Sequence, residues 1–239
     1  MRARGRLLAL CLAPAAWLLG GCGQDIEHTW FPLADGLHWE YRVTRTDARG
    51  QREVESFSQT NLGRTTLQGT TVFERRNSHG THYFIEARED GLYRLASQNI
   101  GDFHPQMDRP PRLILPDPPE RITEWRAPTV TYLLKRIFPF ERHYRHRASI
   151  KLEFRVAATG VSVTVPAGRF DNCLRVDAEA EIQVSSDPRY GPAPVPITQS
   201  EWYCPDTGLV KLTRHEELDS DQAAIIGGDL QMELIRFDD

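Results

Sequence analysis

From Leu174 to Val184 every even position is apolar (Leu174, Val176, Ala178, Ala180, Ile182, Val184), while Arg175, Asp177, Glu179, Glu181 and Gln183 fill the odd ones. Successive strand side chains point to opposite faces, so this run reads as one long strand with a dry face and a wet face. The same period of two recurs at Ile150, Leu152, Phe154 and Val156, at Val161, Val163 and Val165, and at Leu37, Trp39, Tyr41 and Val43. Residues 81–97 read as a hairpin, with Tyr83, Ile85 and Ala87 on one arm and Leu92 to Leu95 on the other. Between them Asp90-Gly91 supplies the positive φ of a tight turn. Helical signals are weak. The best window runs from Ser220 to Ile226, with Asp221 near its start and Gly227-Gly228 at its end, before a final strand from Leu230 to Phe237. Residues 105–119 hold six prolines and 188–196 hold four, which predicts irregular surface connections or edge wrapping. The pattern as a whole predicts one antiparallel, mainly β domain with few short helices.

Composition removes several classes. Of 239 residues 40% are apolar and 26% charged, which excludes a disordered tail, a collagen-like fibre and a polytopic membrane protein. Lys and Arg number 29 against 33 Asp and Glu, so no basic excess points to nucleic acid.

The first 22 residues carry an address. Arg2, Arg4 and Arg6 form a positive start, and Leu7 to Leu19 is apolar but interrupted by Pro14. A helix needs about 20 apolar residues to span a bilayer, so this shorter run suits a signal peptide over residues 1–21. It ends in Leu19-Gly20-Gly21-Cys22, which resembles a bacterial lipobox. The resemblance implies cleavage before Cys22, a thioether-linked lipid on its sulfur and an acyl chain such as palmitate on the new amine. The other reading is a plain secreted protein with a chance cysteine. Gly23 follows the lipidation site instead of Asp, which by resemblance to Gram-negative lipoproteins favours the outer membrane, with the body facing the periplasm. Residues 22–30 would then be a lipidated tether and 31–239 the folded domain. Two or more buried acyl chains anchor a protein stably.

With Cys11 in the signal and Cys22 lipidated, Cys173 and Cys204 remain in an exported chain. An even pair in an oxidising compartment most often forms a disulfide. Two buried thiols, or a redox or metal pair, are the alternatives.

Three stretches together resemble a broad, poorly characterised family of bacterial exported proteins and lipoproteins. They are Trp30-Phe31-Pro32-Leu33 leading to Gly36 and Trp39-x-Tyr41; Val163 to Phe170, containing Val165-Pro166-Ala167-Gly168, followed by Cys173 and Val176; and Trp202-Tyr203-Cys204-Pro205 followed by Gly208-Leu209-Val210-Lys211. The resemblance implies a strongly curved sheet or half-barrel of the lipoprotein-carrier kind and brings no catalytic assignment. The same residues also make sense as turns: Pro166-Ala167-Gly168 and Pro205 to Gly208 each carry turn chemistry between strands.

Chemistry-bearing motifs are scarce. The chain has no G-x-S-x-G, P-loop, H-E-x-x-H or S-x-x-K. Two H-x-x-H pairs exist, His79/His82 and His143/His146, which Glu74 or Glu86 could supplement as metal ligands. In a strand, positions three apart face opposite sides, so surface histidines are the favoured reading and no metal or other cofactor is expected. The most distinctive stretch is residues 135–155, with seven Lys or Arg against two Glu. Arg136, Phe138, Phe140, Arg142, Arg145 and Arg147 interleave rings with cations there, which suits contact with anionic lipid, lipopolysaccharide phosphate or an envelope protein. The competing reading pairs these arginines with the acidic tail, where residues 215–239 carry eight Asp or Glu and one Arg. The expectation is a non-enzymatic lipoprotein anchored in the outer membrane, binding an apolar or envelope ligand on its curved sheet. The alternative is a scaffold docking another envelope protein.

Overall fold

Alternating polarity is satisfied when strands pair with one face inward, and most of the described residues do this. The computed structural model describes residues 29–137, 141–144, 149–187, 191–218 and 224–238. The strands are β1 (His38–Asp47), β2 (Arg52–Leu67), β3 (Thr70–Asn77), β4 (His82–Arg88), β5 (Gly91–Gln98), β6 (Gln106–Pro116), β7 (Glu124–Thr129), β8 (Lys135–Arg136), β9 (Arg142–His143), β10 (Ile150–Val165), β11 (Gly168–Asp187), β12 (Gly191–Cys204), β13 (Gly208–Glu216), β14 (Ile225–Ile226) and β15 (Gly228–Asp238). Twelve of them form one antiparallel sheet in the order β6-β5-β4-β3-β2-β1-β15-β13-β12-β11-β10-β7. The short strands β14, β8 and β9 form a second, three-stranded sheet.

Connectivity forces the large sheet to roll up. Eleven inter-strand steps of about 4.8 Å would separate the outer strands of a flat sheet by roughly 50 Å. Those outer strands, β6 and β7, are joined by only the seven residues 117–123, which reach at most about 28 Å. The sheet therefore curls until β6 and β7 approach each other. No ladder joins them among the described residues, so the barrel is nearly closed and keeps a seam. This goes further than the expected half-barrel.

The long strand is where the alternation places it. In β11 Leu174, Val176, Ala178, Ile182 and Val184 are buried, and they face Ile150, Leu152 and Phe154 of β10 and Val195 and Ile197 of β12 in one core. That core includes Ile85, Leu92, Leu113 and Leu115 from β4–β6, so apolar side chains from opposite sides of the barrel meet across its middle. Burying a side chain such as Leu152 contributes about 1.5–3 kcal/mol. The expected hairpin is β4–β5, and at its turn a Cβ on Gly91 would lie 2.4 Å from the Leu115 carbonyl oxygen. Only glycine fits that approach.

Two expectations are corrected. Among the described residues there is no helix, and Ile225–Ile226, placed in the helical window, pairs with β8 instead. Residues 220–223 of that window lie outside the described residues. The proline-dense stretches are corrected in part: Pro105, Pro118 and Pro119 lie in connections and β6 is an edge strand, as expected, but the other described prolines sit within strands. Pro110, Pro111 and Pro116 sit in β6, an edge strand, where a missing donor costs no ladder bond. Pro192, Pro194 and Pro196 sit in β12, which pairs with β11 along this part, whereas its pairing with β13 begins only at Ile197. Spaced by two, these prolines share one side of the strand, and that side is open.

Candidate interior site and the surface stretches

The wall made by β7, β10 and β11 is apolar, whereas the wall made by β1–β6 and β13 carries inward charges. On β13, Arg214 and Glu216 are two residues apart and therefore share the inner face. Arg214 Nε donates to Glu216 Oε1 at 2.6 Å, and both side chains are almost fully buried. The backbone N–H groups of Tyr132 and Leu133 donate to the same carboxylate at 3.0–3.1 Å. Arg214 also donates to Gln199 Oε1 (2.8 Å), Thr129 Oγ1 (3.3 Å) and the Val130 carbonyl (2.9 Å), and lies over the Tyr132 ring. Every charged atom of the pair is thus engaged, which is what a buried ion pair requires to persist. The pair clamps the segment after β7 onto the barrel. A Cβ on Gly227 would lie 1.6 Å from the Glu216 carbonyl oxygen, so glycine is needed where β14 leads into β15.

The polar chain continues along β12. Gln199 Nε2 donates to Glu201 Oε1 at 2.5 Å and the Tyr203 hydroxyl donates to Glu201 Oε2 at 2.6 Å. Burial pushes the Glu201 carboxyl up despite these bonds and the attraction of Arg112 and Arg214. Burial, reinforced by Glu201, also holds the Tyr203 hydroxyl well above its ordinary range.

The three family-like stretches converge at one end of the barrel. Trp39 Nε1 donates to the Thr207 carbonyl at 2.6 Å and the Tyr41 hydroxyl to the Leu209 carbonyl at 2.8 Å. The Asp206 N–H donates to the Thr29 carbonyl, and the Ala167 N–H to the Leu234 carbonyl. Cys173 and Cys204 form a disulfide beside Val163, Val165 and Val210. Arg75 lies between the Phe31 and Trp39 rings at 4.1 and 4.4 Å, and donates to Asn61 Oδ1 and the Pro32 carbonyl. Burial draws its pKa down to about 10, which leaves it a cation at neutral pH. These motifs therefore close an end of the fold. Sequence reasoning missed Arg75, Arg214 and Glu216, and their single signal was charge at positions where the alternation asks for an inward residue.

The expected sites fall in several places. Cys22 lies outside the described residues, as do Phe138, Phe140, Arg145 and Arg147 of the basic stretch. Arg136 is in β8 and Arg142 is exposed in β9. Contact with the tail includes backbone pairing of β8 with β14, and two charges of the stretch go elsewhere: Lys135 bonds Glu53 at 3.0 Å and Arg155 lies 3.9 Å from Asp177. For Arg155 the expected pairing of the stretch's arginines with tail carboxylates is corrected. His79 stands beside the Phe57 ring, and His82 is hydrogen-bonded to Glu74 at 2.5 Å. His143 is exposed, and His146 lies outside the described residues. No group of three or more His, Cys, Asp or Glu side chains suited to a metal forms among the described residues.

A groove of about 310 Å³ crosses β12, β13 and β15 at residues 198–200, 213–215 and 229–231. His215 pairs with Asp229 at 2.9 Å there, but Ser200 donates its hydroxyl to Asp177 at 2.7 Å. The three do not line up as nucleophile, base and acid.

No protein-family model matches the chain, and no curated protein matches it. Among solved structures it is similar to a candidate lipoprotein from Parabacteroides distasonis, at 16% identity and a TM-score of 0.38 over 88% of this chain and 99% of that one. It is also similar to a candidate exported protein with a YmcC-like fold from Bacteroides fragilis, at 13% identity and a TM-score of 0.41 over 89% and 100%.

Proposed function

We propose that the protein is a non-enzymatic envelope lipoprotein, held by lipid on Cys22 in the bacterial outer membrane, whose barrel is a periplasm-facing docking body for another envelope component. The filled interior carries this reading. Trp125 stacks on Phe154 at 5.2 Å, and the cluster they belong to reaches from β4–β6 across to β10–β12. An acyl chain would have to displace side chains that already pack against one another, so the docking role is favoured over carriage of an apolar ligand.

The reading also implies an orientation for the body. Thr29 is bonded to the turn after β12, at the end where β13 begins. The pairing of β8 with β14 lies beyond the other end of β13, nine residues away, or roughly 30 Å. From Cys22 the chain reaches Thr29 in seven steps, at most about 25 Å. The Thr29 end therefore rests near the anchoring membrane, and the stretch with Arg136 and Arg142 is turned away from it, toward an envelope protein or a second anionic surface. A photo-crosslinking residue at Arg142 should yield a heteromeric protein adduct in intact cells. Adducts to self or lipid alone would overturn the docking role, and an intact mass without lipid at Cys22 would overturn the anchor.

A further inference from the structure

The groove of about 310 Å³ across β12, β13 and β15 is built by strand register. Thr198, His215 and Asp229 stand in one cross-strand row, and Ser200, Thr213 and Gln231 stand in the next. Side chains two apart on a strand share a face. The alternate positions of these strands hold the buried Glu201, Arg214 and Glu216, so both rows point out of the barrel. Between the rows the backbone of Gln199, Arg214 and Leu230 makes the floor. Thr198, Ser200 and Thr213 are short, whereas the row beyond them is Trp202, Lys211 and Glu233. That row is tied together: the Lys211 ammonium lies 5.7 Å from the Trp202 ring centre and 3.7 Å from Glu233. Short side chains between this wall and the His215 row leave the space open. Its volume stands at the lower end of small-molecule sites, which run from about 300 to 1,000 Å³.

The ions around the groove are paired with one another. His215 Nδ1 lies 2.9 Å from Asp229 Oδ1, and Glu233 also meets Arg42 at 3.1 Å. Ser200 donates to Asp177, which Arg175 holds at 2.9 Å. A simple anion or cation would therefore compete with a countercharge already in place. What the groove offers a newcomer is chiefly hydroxyls, an amide and an imidazole, groups that both donate and accept. Their complement is a neutral molecule whose neighbouring groups also donate and accept, which is the chemistry of a saccharide. Half-buried Trp202, two residues beyond Ser200, supplies an apolar ring for the C–H face of a sugar.

We propose that this outer groove binds a mono- or disaccharide unit of an envelope glycan through Thr198, Ser200, Thr213, His215 and Gln231. The site is independent of the lipid anchor and goes beyond the docking role. Saturation-transfer NMR and calorimetry on the mature chain, in a detergent without a sugar headgroup, test it with maltose and with N,N′-diacetylchitobiose. At least one should bind one to one, and Thr213→Tyr, which fills the middle of the groove, should weaken that binding at least about tenfold. Binding of maltose alone assigns a plain glucan, and binding of diacetylchitobiose alone an N-acetylated glycan. If Thr213→Tyr does not fold by circular dichroism, Gln231→Ala at the exposed edge should weaken binding about two- to tenfold, the loss of a hydrogen bond. No transfer or heat from either disaccharide, unchanged affinity in the folded groove variant, or an equal loss in the exposed control Thr71→Tyr would each overturn the site.

Discussion

The two walls of the barrel use the same alternation for opposite ends. On β10 and β11 the inward positions are Ile150, Leu152, Phe154, Leu174, Val176 and Ala178, which fill the interior by contact alone. Among the described residues the one buried side-chain polar atom without a partner is Trp125 Nε1, on the neighbouring β7. Across the barrel the inward positions include Arg75, Arg94, Arg112, Arg214 and Glu216, each of which needs directed partners. An apolar wall tolerates small shifts, because dispersion falls off gradually and any neighbour will serve. A charged wall holds only if specific atoms meet, since an unpaired buried charge costs several kcal/mol. The charged wall therefore ties the segment after β7 in place, and the apolar wall supplies most of the driving force.

That contrast can be broken by mutation. Glu216→Ala should cost the most, about 3–5 kcal/mol in denaturant unfolding, because it strands Arg214 and frees the N–H groups of Tyr132 and Leu133. Arg214→Met with Glu216→Leu should recover most of that loss, and failure to recover would mean the pair positions more than itself. Replacing Cys173 and Cys204 by Ser removes a link across 31 positions and should cost on the order of 3–4 kcal/mol. Leu152→Ala on the apolar wall should cost about 2–5 kcal/mol, toward the lower end if neighbours collapse into the space. A cost above that of Glu216→Ala would reverse the ranking of the two walls. The smallest effect is one of pH. Burial raises Glu201 above its ordinary 4.5, so between that value and the raised one the folded chain holds a proton the unfolded chain has lost. Stability contributed by that proton falls as pH rises through the window. Glu201→Gln should flatten the slope there, as thermal melts across the acidic range would measure.

Much of this was readable in the chain. The strand at Leu174 to Val184, the β4–β5 hairpin and the turns at Pro166-Ala167 and Pro205 to Thr207 stand where the alternation and turn chemistry put them. The prolines of β12 misled, because proline excludes a strand only where both neighbours are present, and which neighbours are present is not a local property. The interior charges were legible as charges but not as interior. Arg75 and Glu55 look alike on paper: each is a charged residue in a strand. One ends between two rings and the other beside Arg45 near the surface.

The amino-acid order alone determined which stretches are strands, which faces are dry and where the turns fall, because side-chain alternation and turn torsions act over two to four residues. Only the rolled-up sheet decided that β6 meets β7 at a seam and that Phe31 and Trp39 enclose Arg75. It also decided that Glu216 receives the N–H groups of Tyr132 and Leu133. Those partners lie tens of residues apart, so their meeting depends on how many strands the sheet holds and how far it curls before its edges approach.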